Sequence, residues 1–214
     1  MDKNKLTQIV IERLKQRYPD GICSLQSANP LQLLIATRLS AQCTDKRVNI
    51  VTGVLFDKYK TLDDFCRADV EDIEKIIAPC GLFHTKARDI KGACLAIRDN
   101  FGGRVPDSMD ELLSLPGVGR KTANLILGDV YGQSAIVTDT HCIRITNRLG
   151  LSHGKDPYKV EMQLRQIVPP EEGSDLCHRL VLFGRDTCTA QSPKCDICVL
   201  RDICTSNDKL RVES

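Results

Sequence analysis

The chain has 214 residues, enough for one large or two modest domains with a hydrophobic core. Its composition, 42% hydrophobic and 27% charged, contains no apolar run near the roughly 20 residues that cross a bilayer, which excludes a membrane-spanning protein. The first twenty residues lack a signal-peptide core, so we expect a cytoplasmic protein. The net charge of +2 neither favours nor excludes nucleic acid as a partner.

Apolar residues recur at helical spacing along most of the chain, beginning with a face formed by Leu6, Ile9, Val10 and Leu14. Capping residues mark further helix starts, at Asn29 before Pro30, Thr61 with Asp64, Ser108 with Glu111 as a complete capping box, and Asp156 before Pro157. The strand-like stretch 134–137 is too short to build a sheet. We therefore predict an all-α chain of about ten helices.

A glycine-rich segment, LPGVGRK over residues 115–121, lies between the helix that starts at Ser108 and an apolar helix predicted over 121–130. Gly117 and Gly119 let the backbone turn tightly, and their N–H groups are not shielded by a Cβ atom. Such N–H groups beside a helix N-terminus form an anion site. A plain corner between two helices is the alternative, but the residue pattern favours a loop that binds phosphate.

Two side chains near this loop in sequence suit chemistry on a bound substrate. Lys121 lies in the first turn of its helix, where the helix dipole favours an uncharged, nucleophilic amine. Asp139 is placed to cap a helix predicted over 142–149, and a carboxylate held there can accept a proton or stabilise a sugar cation. On spacing alone, plain capping is the stronger interpretation for Asp139, and a solvated lysine that only touches phosphate stays open for Lys121.

Eleven cysteines are present, and seven of them are scattered in a way typical of small buried side chains in a reducing cytosol. The last four follow a C-x6-C-x2-C-x5-C pattern, compact enough for one loop to wrap one inorganic centre: Cys188, Cys195, Cys198 and Cys204. Four thiolates suit zinc or an iron–sulfur cubane. Structural zinc usually pairs two short knuckles, and the single C-x2-C here favours a structural [4Fe–4S] cluster, with zinc as the alternative.

The sequence LPGVGRKTAN at 115–124, the Asp139-Thr-His141 segment and the four-cysteine tail together resemble the endonuclease III family of DNA glycosylases, within the helix-hairpin-helix superfamily. The resemblance covers almost the entire chain. It implies two helical lobes with a DNA-binding cleft between them. One is a six-helix lobe over 22–133 with the hairpin at 115–121, and the other combines 1–21 with 134–214 and carries the cluster loop at 188–204.

The family resemblance implies a bifunctional DNA glycosylase and abasic-site lyase of base excision repair. Its substrate is double-stranded DNA containing oxidised pyrimidines or abasic sites, and the protein acts as a monomer without a membrane. The damaged nucleotide is flipped out of the duplex, Lys121 attacks C1′ to form a Schiff base, and β-elimination cuts the strand 3′ to the lesion. Asp139 prepares Lys121 and stabilises positive charge on the sugar.

The resemblance also implies which residues contact DNA. Gln42 and Leu82 match positions that fill the hole left by the flipped nucleotide, and Asp45 and His141 are candidates for the lesion pocket. The remaining DNA-contact residues are five of the hairpin and one lysine of the cluster loop, namely Leu115, Gly117, Val118, Gly119, Arg120 and Lys194. Arg38 and Phe183 depart from the family pattern, which usually has an apolar and a polar residue there.

Two alternatives differ from this function in their chemistry. The adenine-mismatch branch shares the fold and the cluster but only removes the base, lacks the hairpin lysine and carries a glutamate at the position of Ala36. A non-catalytic or redox-sensing iron–sulfur protein would leave Lys121 and Asp139 without a chemical role. The hairpin lysine favours the bifunctional enzyme, and it likewise disfavours a mismatch thymine glycosylase.

Overall fold

The computed structural model describes residues 2–206, and the regular secondary structure within them is helical throughout. Residues 134–137 form no strand. The α-helices of the described part are α1 (Lys3–Arg17), α2 (Pro30–Ser40), α3 (Asp45–Lys58), α4 (Leu62–Arg67), α5 (Val70–Ile77), α6 (Phe83–Asn100), α7 (Met109–Ser114), α8 (Arg120–Asp129), α9 (Thr140–Arg148), α10 (Pro157–Leu164) and α11 (Gly173–Asp186). Short 3₁₀ turns cover Ala78–Cys80, Pro170–Glu172, Cys195–Ile197 and Arg201–Ile203. The predicted all-α class is confirmed, and none of the described helices has the length and hydropathy to cross a bilayer.

The chain divides into two compact units. One unit is the continuous segment Cys23–Tyr131 with helices α2 to α8, and the other joins the described parts of Met1–Ile22 and Gly132–Ser214, with α1 and α9 to α11. In the continuous unit, buried side chains of α2 to α6 share one core that includes Leu39, Leu55, Phe65, Ile77 and Ile90. In the other unit α1 packs on α11, which also packs on α9.

Side-chain caps start most of the predicted helices, although one of them has a different geometry from that expected. Thr61 forms a complete capping box with Asp64, in which each side chain accepts a hydrogen bond from the other residue's backbone N–H. The complete box predicted at Ser108 is wrong. The Ser108 hydroxyl accepts a hydrogen bond from the Glu111 backbone N–H at 3.4 Å. The Glu111 carboxylate, however, accepts its hydrogen bond from the Ser108 hydroxyl, at 2.7 Å, and not from the Ser108 backbone N–H.

The turn between α7 and α8 rests on an ion pair that joins α2 to α6. Arg38 donates from Nε and Nη2 to Oδ2 of Asp89, at 2.8 and 2.6 Å. Gly117 has a φ of +72°, and a Cβ atom there would lie 2.7 Å from Cβ of Asp89 and 2.8 Å from Nε of Arg38. Position 117 therefore requires glycine for two reasons: its backbone is left-handed, and it lies too close to the ion pair for a Cβ atom.

The second glycine of the turn has a different environment. Gly119 is the N-cap of α8 with a φ of −99°, which any residue adopts, and a Cβ atom added there would meet nothing within 4 Å. The expectation that both glycines are needed to form the turn is therefore wrong for Gly119. Its missing side chain leaves room beside the start of α8 that the protein itself does not fill.

A matched pair of serine substitutions tests this difference. Gly117→Ser forces an L-residue into the left-handed region and displaces Asp89, so we expect the free energy of unfolding to fall by about 1–3 kcal/mol. Gly119→Ser introduces a good N-cap residue into open space, so the change should stay within about 0.5 kcal/mol or favour the folded state. Urea unfolding followed by circular dichroism measures both. Equal losses at the two positions would contradict the proposed packing of the turn on Arg38 and Asp89.

Candidate active site

Lys121 lies in the first turn of α8, directly after the glycine turn. Its side chain is exposed, so the amine is accessible to a substrate. The N-cap, Gly119, has no side chain to bond the first N–H groups of α8, which are the groups that a helix start offers to an anion. An accessible amine and an uncapped helix N-terminus therefore occupy the same turn of the chain.

The other hairpin residues differ in what they present. Leu115 is buried at 2% exposure and accepts a hydrogen bond on its carbonyl from the Val118 backbone N–H at 3.2 Å, which closes the turn. Val118 and Arg120 are half-buried. Pro116 packs on α6, where a Cβ atom on Gly92 would lie 3.2 Å from Cγ of the proline. Leu115 and Pro116 thus anchor the turn on the rest of the unit.

Gln42 and Leu82 share an unusual backbone. They are the non-glycine residues with positive φ among those described, at +56° and +50°, and both side chains are exposed. A bulky residue such as leucine rarely adopts this conformation, and strained residues of this kind occur preferentially at functional sites. Gln42 follows the C-cap of α2, Ala41, and Leu82 is the N-cap of α6.

A buried lysine joins the two segments that carry Gln42 and Leu82. Lys86 has no exposed surface, and its Nζ donates hydrogen bonds to the carbonyl oxygens of Leu39 and Ala41, both at 2.8 Å, and of Cys80, at 3.0 Å. Burial lowers the pKa of the Lys86 ammonium. The Cys80 thiol beside it has its pKa raised to about 11, first by burial and then by the Cys43 thiol.

Asp139 caps α9, and this interpretation from the sequence is confirmed. Its Oδ1 accepts a hydrogen bond of 2.7 Å from the Cys142 backbone N–H, and the side chain is half-buried. Among residues 2–206, none donates a hydrogen bond to Oδ2. The cap therefore fixes the carboxylate through one oxygen and leaves the second oxygen for a substrate or a proton.

The two pocket candidates lie at helix starts as well. Asp45 is half-buried in the first turn of α3, whose N-cap is Thr44. The His141 ring packs against Gly184 of α11, with Nδ1 3.1 Å from Nη2 of Arg144. Their contribution to a lesion pocket stays a prediction, because the described contacts of His141 are with the protein's own helices.

The four clustered cysteines line a single cavity together with residues of α9 and α11. Two arginines of α9 hold the cysteine loop. Arg148 donates from Nη1 to the carbonyl oxygen of Thr189 at 2.7 Å and to Sγ of Cys188 at 3.3 Å, and Arg144 donates to the carbonyl oxygen of Cys188 at 2.9 Å. Neither arginine was predicted from the sequence, although their spacing of four residues on one helix places them on one face.

The chemistry of the four sulfurs fits an iron–sulfur centre. Burial, together with the charges of the other three cysteines, raises the pKa of Cys198 to about 11. Four thiolates therefore require a positively charged centre to neutralise them, as the iron of a cluster does. The apolar walls of the cavity include Ile145, Leu149 and Phe183, so Phe183 belongs to the packing around this loop. Lys194 is exposed on the loop.

Comparisons with known proteins agree on one family. Residues 35–170 match the model of the HhH-GPD superfamily base excision DNA repair protein, and residues 188–204 match the iron-sulfur binding domain of endonuclease III. Endonuclease III of Synechocystis sp. is 43% identical over 95% of this chain and 93% of its own, and that of Bacillus subtilis is 41% identical over 96% and 94%. A solved structure of a trapped endonuclease III–DNA covalent intermediate, an estranged-adenine complex, superposes with a TM-score of 0.92 at 42% identity over 99% of both chains.

These matches extend over both compact units and over the cysteine loop. They confirm the predicted reaction class, the predicted DNA binding and the predicted [4Fe–4S] cluster. The chain belongs to the endonuclease III family and is a bifunctional DNA glycosylase and abasic-site lyase of base excision repair.

Proposed function

We propose that this enzyme excises oxidised pyrimidines from duplex DNA and cleaves the resulting abasic site through an imine on Lys121. The observation that carries the proposal is the exposed Lys121 amine in the first turn of α8, after a glycine turn that has no capping side chain. The similarity to a trapped endonuclease III–DNA covalent intermediate supports it, since a covalent enzyme–DNA species requires a nucleophile.

The reaction begins when Nζ of Lys121, as a free amine, forms a bond to C1′ of the flipped nucleotide. The C1′–N bond to the base breaks, and its electron pair leaves with the base, which takes up a proton. The lysine nitrogen then loses a proton, and the C1′–O4′ bond breaks with O4′ taking up a proton, which gives the protonated imine. Removal of a C2′ proton then expels the 3′ phosphate with the electron pair of the C3′–O bond, which cuts the strand.

Asp139 supplies the negative charge that these reaction steps need. Positive charge develops on the sugar as the base leaves and again on the imine nitrogen, and a carboxylate stabilises both. The hydrogen bond from the Cys142 N–H fixes the carboxylate, so it needs little reorganisation during the reaction. We assign Asp139 this electrostatic role and the preparation of Lys121 as a free amine.

The DNA contacts follow from the same segments. The N–H groups at Gly117 and Gly119 bind a phosphate of the lesion strand, Arg120 and Lys194 add positive charge, and Leu115 and Val118 hold the turn in place. Gln42 and Leu82 enter the duplex where the nucleotide has left, and Asp45 and His141 border the lesion pocket. The [4Fe–4S] cluster would be held by Cys188, Cys195, Cys198 and Cys204 and would fix the loop that carries Lys194. The enzyme acts as a monomer on nucleoid DNA.

Replacing the nucleophile gives the most direct test. We expect Lys121→Gln to abolish both strand cleavage and borohydride trapping on duplex DNA that contains thymine glycol, because an amide cannot form an imine. DNA binding should persist. Lys159→Gln is the matched control, because Lys159 is also an exposed lysine in the first turn of a helix, α10. It should trap like the wild type. Trapping that persists in Lys121→Gln would assign the chemistry to another amine.

A second substitution separates catalysis from capping at Asp139. Asparagine still caps a helix, so we expect Asp139→Asn to keep the unfolding midpoint while turnover falls by about 10²- to 10⁴-fold. Asp156→Asn, at the cap of α10, is the control, because its oxygen makes the equivalent bond to the Lys159 N–H. Single-turnover rates and thermal unfolding of both variants are compared. Unchanged turnover in Asp139→Asn would reduce Asp139 to a cap.

A further inference from the structure

Lys86 has no part in the reaction described above, yet it is completely buried with a cationic end group. Burying an ammonium is costly unless hydrogen bonds replace its hydration. Here three backbone carbonyls replace it, and none of the three lies on the helix that carries Lys86. The lysine therefore reaches out of α6 to bind two other segments of the chain.

The accepting carbonyls belong to two helix ends. Leu39 and Ala41 lie in the last turn and at the C-cap of α2, and Cys80 ends the 3₁₀ turn Ala78–Cys80. Carbonyls at such ends lack partners within their own helix and attract a cation. One ammonium group thus satisfies the ends of both elements and holds them at a fixed separation from each other.

The positions that follow these two ends are the strained ones. Gln42 comes directly after Ala41, and Leu82 comes two residues after Cys80, with Gly81 between them at a φ of +67°. The backbone N–H of Lys86 also donates to the carbonyl oxygen of Leu82 at 3.0 Å. That last bond is the first i→i−4 bond of α6, which any residue at this position would make, whereas the Lys86 side chain contacts the backbone on the N-terminal side of both Gln42 and Leu82.

We propose that Lys86 is a positioning residue that locks Gln42 and Leu82 together in their strained conformations, so that both side chains are prepared to enter the duplex as the nucleotide flips out. The inference rests on the proposed role of Gln42 and Leu82 in filling the vacated space. Strain in a left-handed residue persists only where the surroundings enforce it. Lys86 provides that enforcement for both segments with a single group.

The test compares Lys86→Met with Lys91→Met. Methionine fills a similar volume without making hydrogen bonds. Lys91 is the matched control, because it lies on the same helix and also donates to a C-cap carbonyl. That carbonyl belongs to Ala68 at the end of α4, which adjoins neither Gln42 nor Leu82 in sequence. Two substrates are used: a duplex with thymine glycol, which requires flipping, and a single strand with an abasic site, which has no duplex to fill.

We expect Lys86→Met to slow excision from the duplex by about 10- to 100-fold and to leave cleavage of the single-stranded abasic site close to the wild-type rate. Lys91→Met should leave both rates unchanged. Lys86→Met added to a Gln42→Ala/Leu82→Ala variant should cause no further loss on the duplex, because Lys86 acts through those two side chains. If Lys86→Met does not fold, Lys86→Arg keeps the charge but changes the hydrogen-bond geometry, and should show the same duplex-selective loss.

The outcomes separate this inference from the proposed function. Equal losses on both substrates for the Lys86 variants, or a further loss in the triple variant, would overturn the positioning role and leave Lys86 as a general fold-stabilising residue. A Gln42→Ala/Leu82→Ala variant that excises from the duplex at the wild-type rate would instead overturn the proposed filling role itself. In both cases borohydride trapping by wild-type enzyme still tests the Lys121 chemistry independently.

Discussion

Helix ends leave backbone N–H and C=O groups without partners, and the way each end is satisfied determines where this enzyme carries its functional groups. At the start of α8 a glycine replaces the usual capping side chain, so no side chain caps the helix beside Lys121. At the start of α9 the cap is itself a carboxylate, Asp139. At the ends of α2 and of the 3₁₀ turn before α6, the buried Lys86 ammonium donates hydrogen bonds to the backbone carbonyl oxygens. One constraint of helical structure thus has three different solutions.

The turn before α8 is also supported by side chains of the helices beneath it. The turn at Gly117 lies on the Arg38–Asp89 ion pair, which joins two helices of the core. That pair gives a physical account of Arg38, whose charge departs from the family pattern: the guanidinium is matched by Asp89 and packed under the turn. The phosphate contact proposed for this turn would need such support from side chains that do not themselves touch the substrate.

The cysteine loop obtains its support from α9. Asp139 begins this helix, and Arg144 and Arg148 on its later turns bind the backbone and one sulfur of the loop. The loop has only short 3₁₀ turns of its own, so it depends on the cluster and on these arginines to keep one conformation. The carboxylate proposed for catalysis and the two arginines that support the cluster loop therefore belong to one short helix.

The sequence by itself determined the helical class, most of the helix starts, the cysteine cluster and the candidate catalytic pair, because capping, helical periodicity and metal-ligand spacing are local properties of the chain. Tertiary structure alone decided the rest. No local pattern shows that Lys86 is buried among carbonyls more than forty positions away, or that Gly117 needs glycine while Gly119 has open space beside it. Such features depend on which helices pack together, and packing joins residues whose separation along the chain carries no periodic signal.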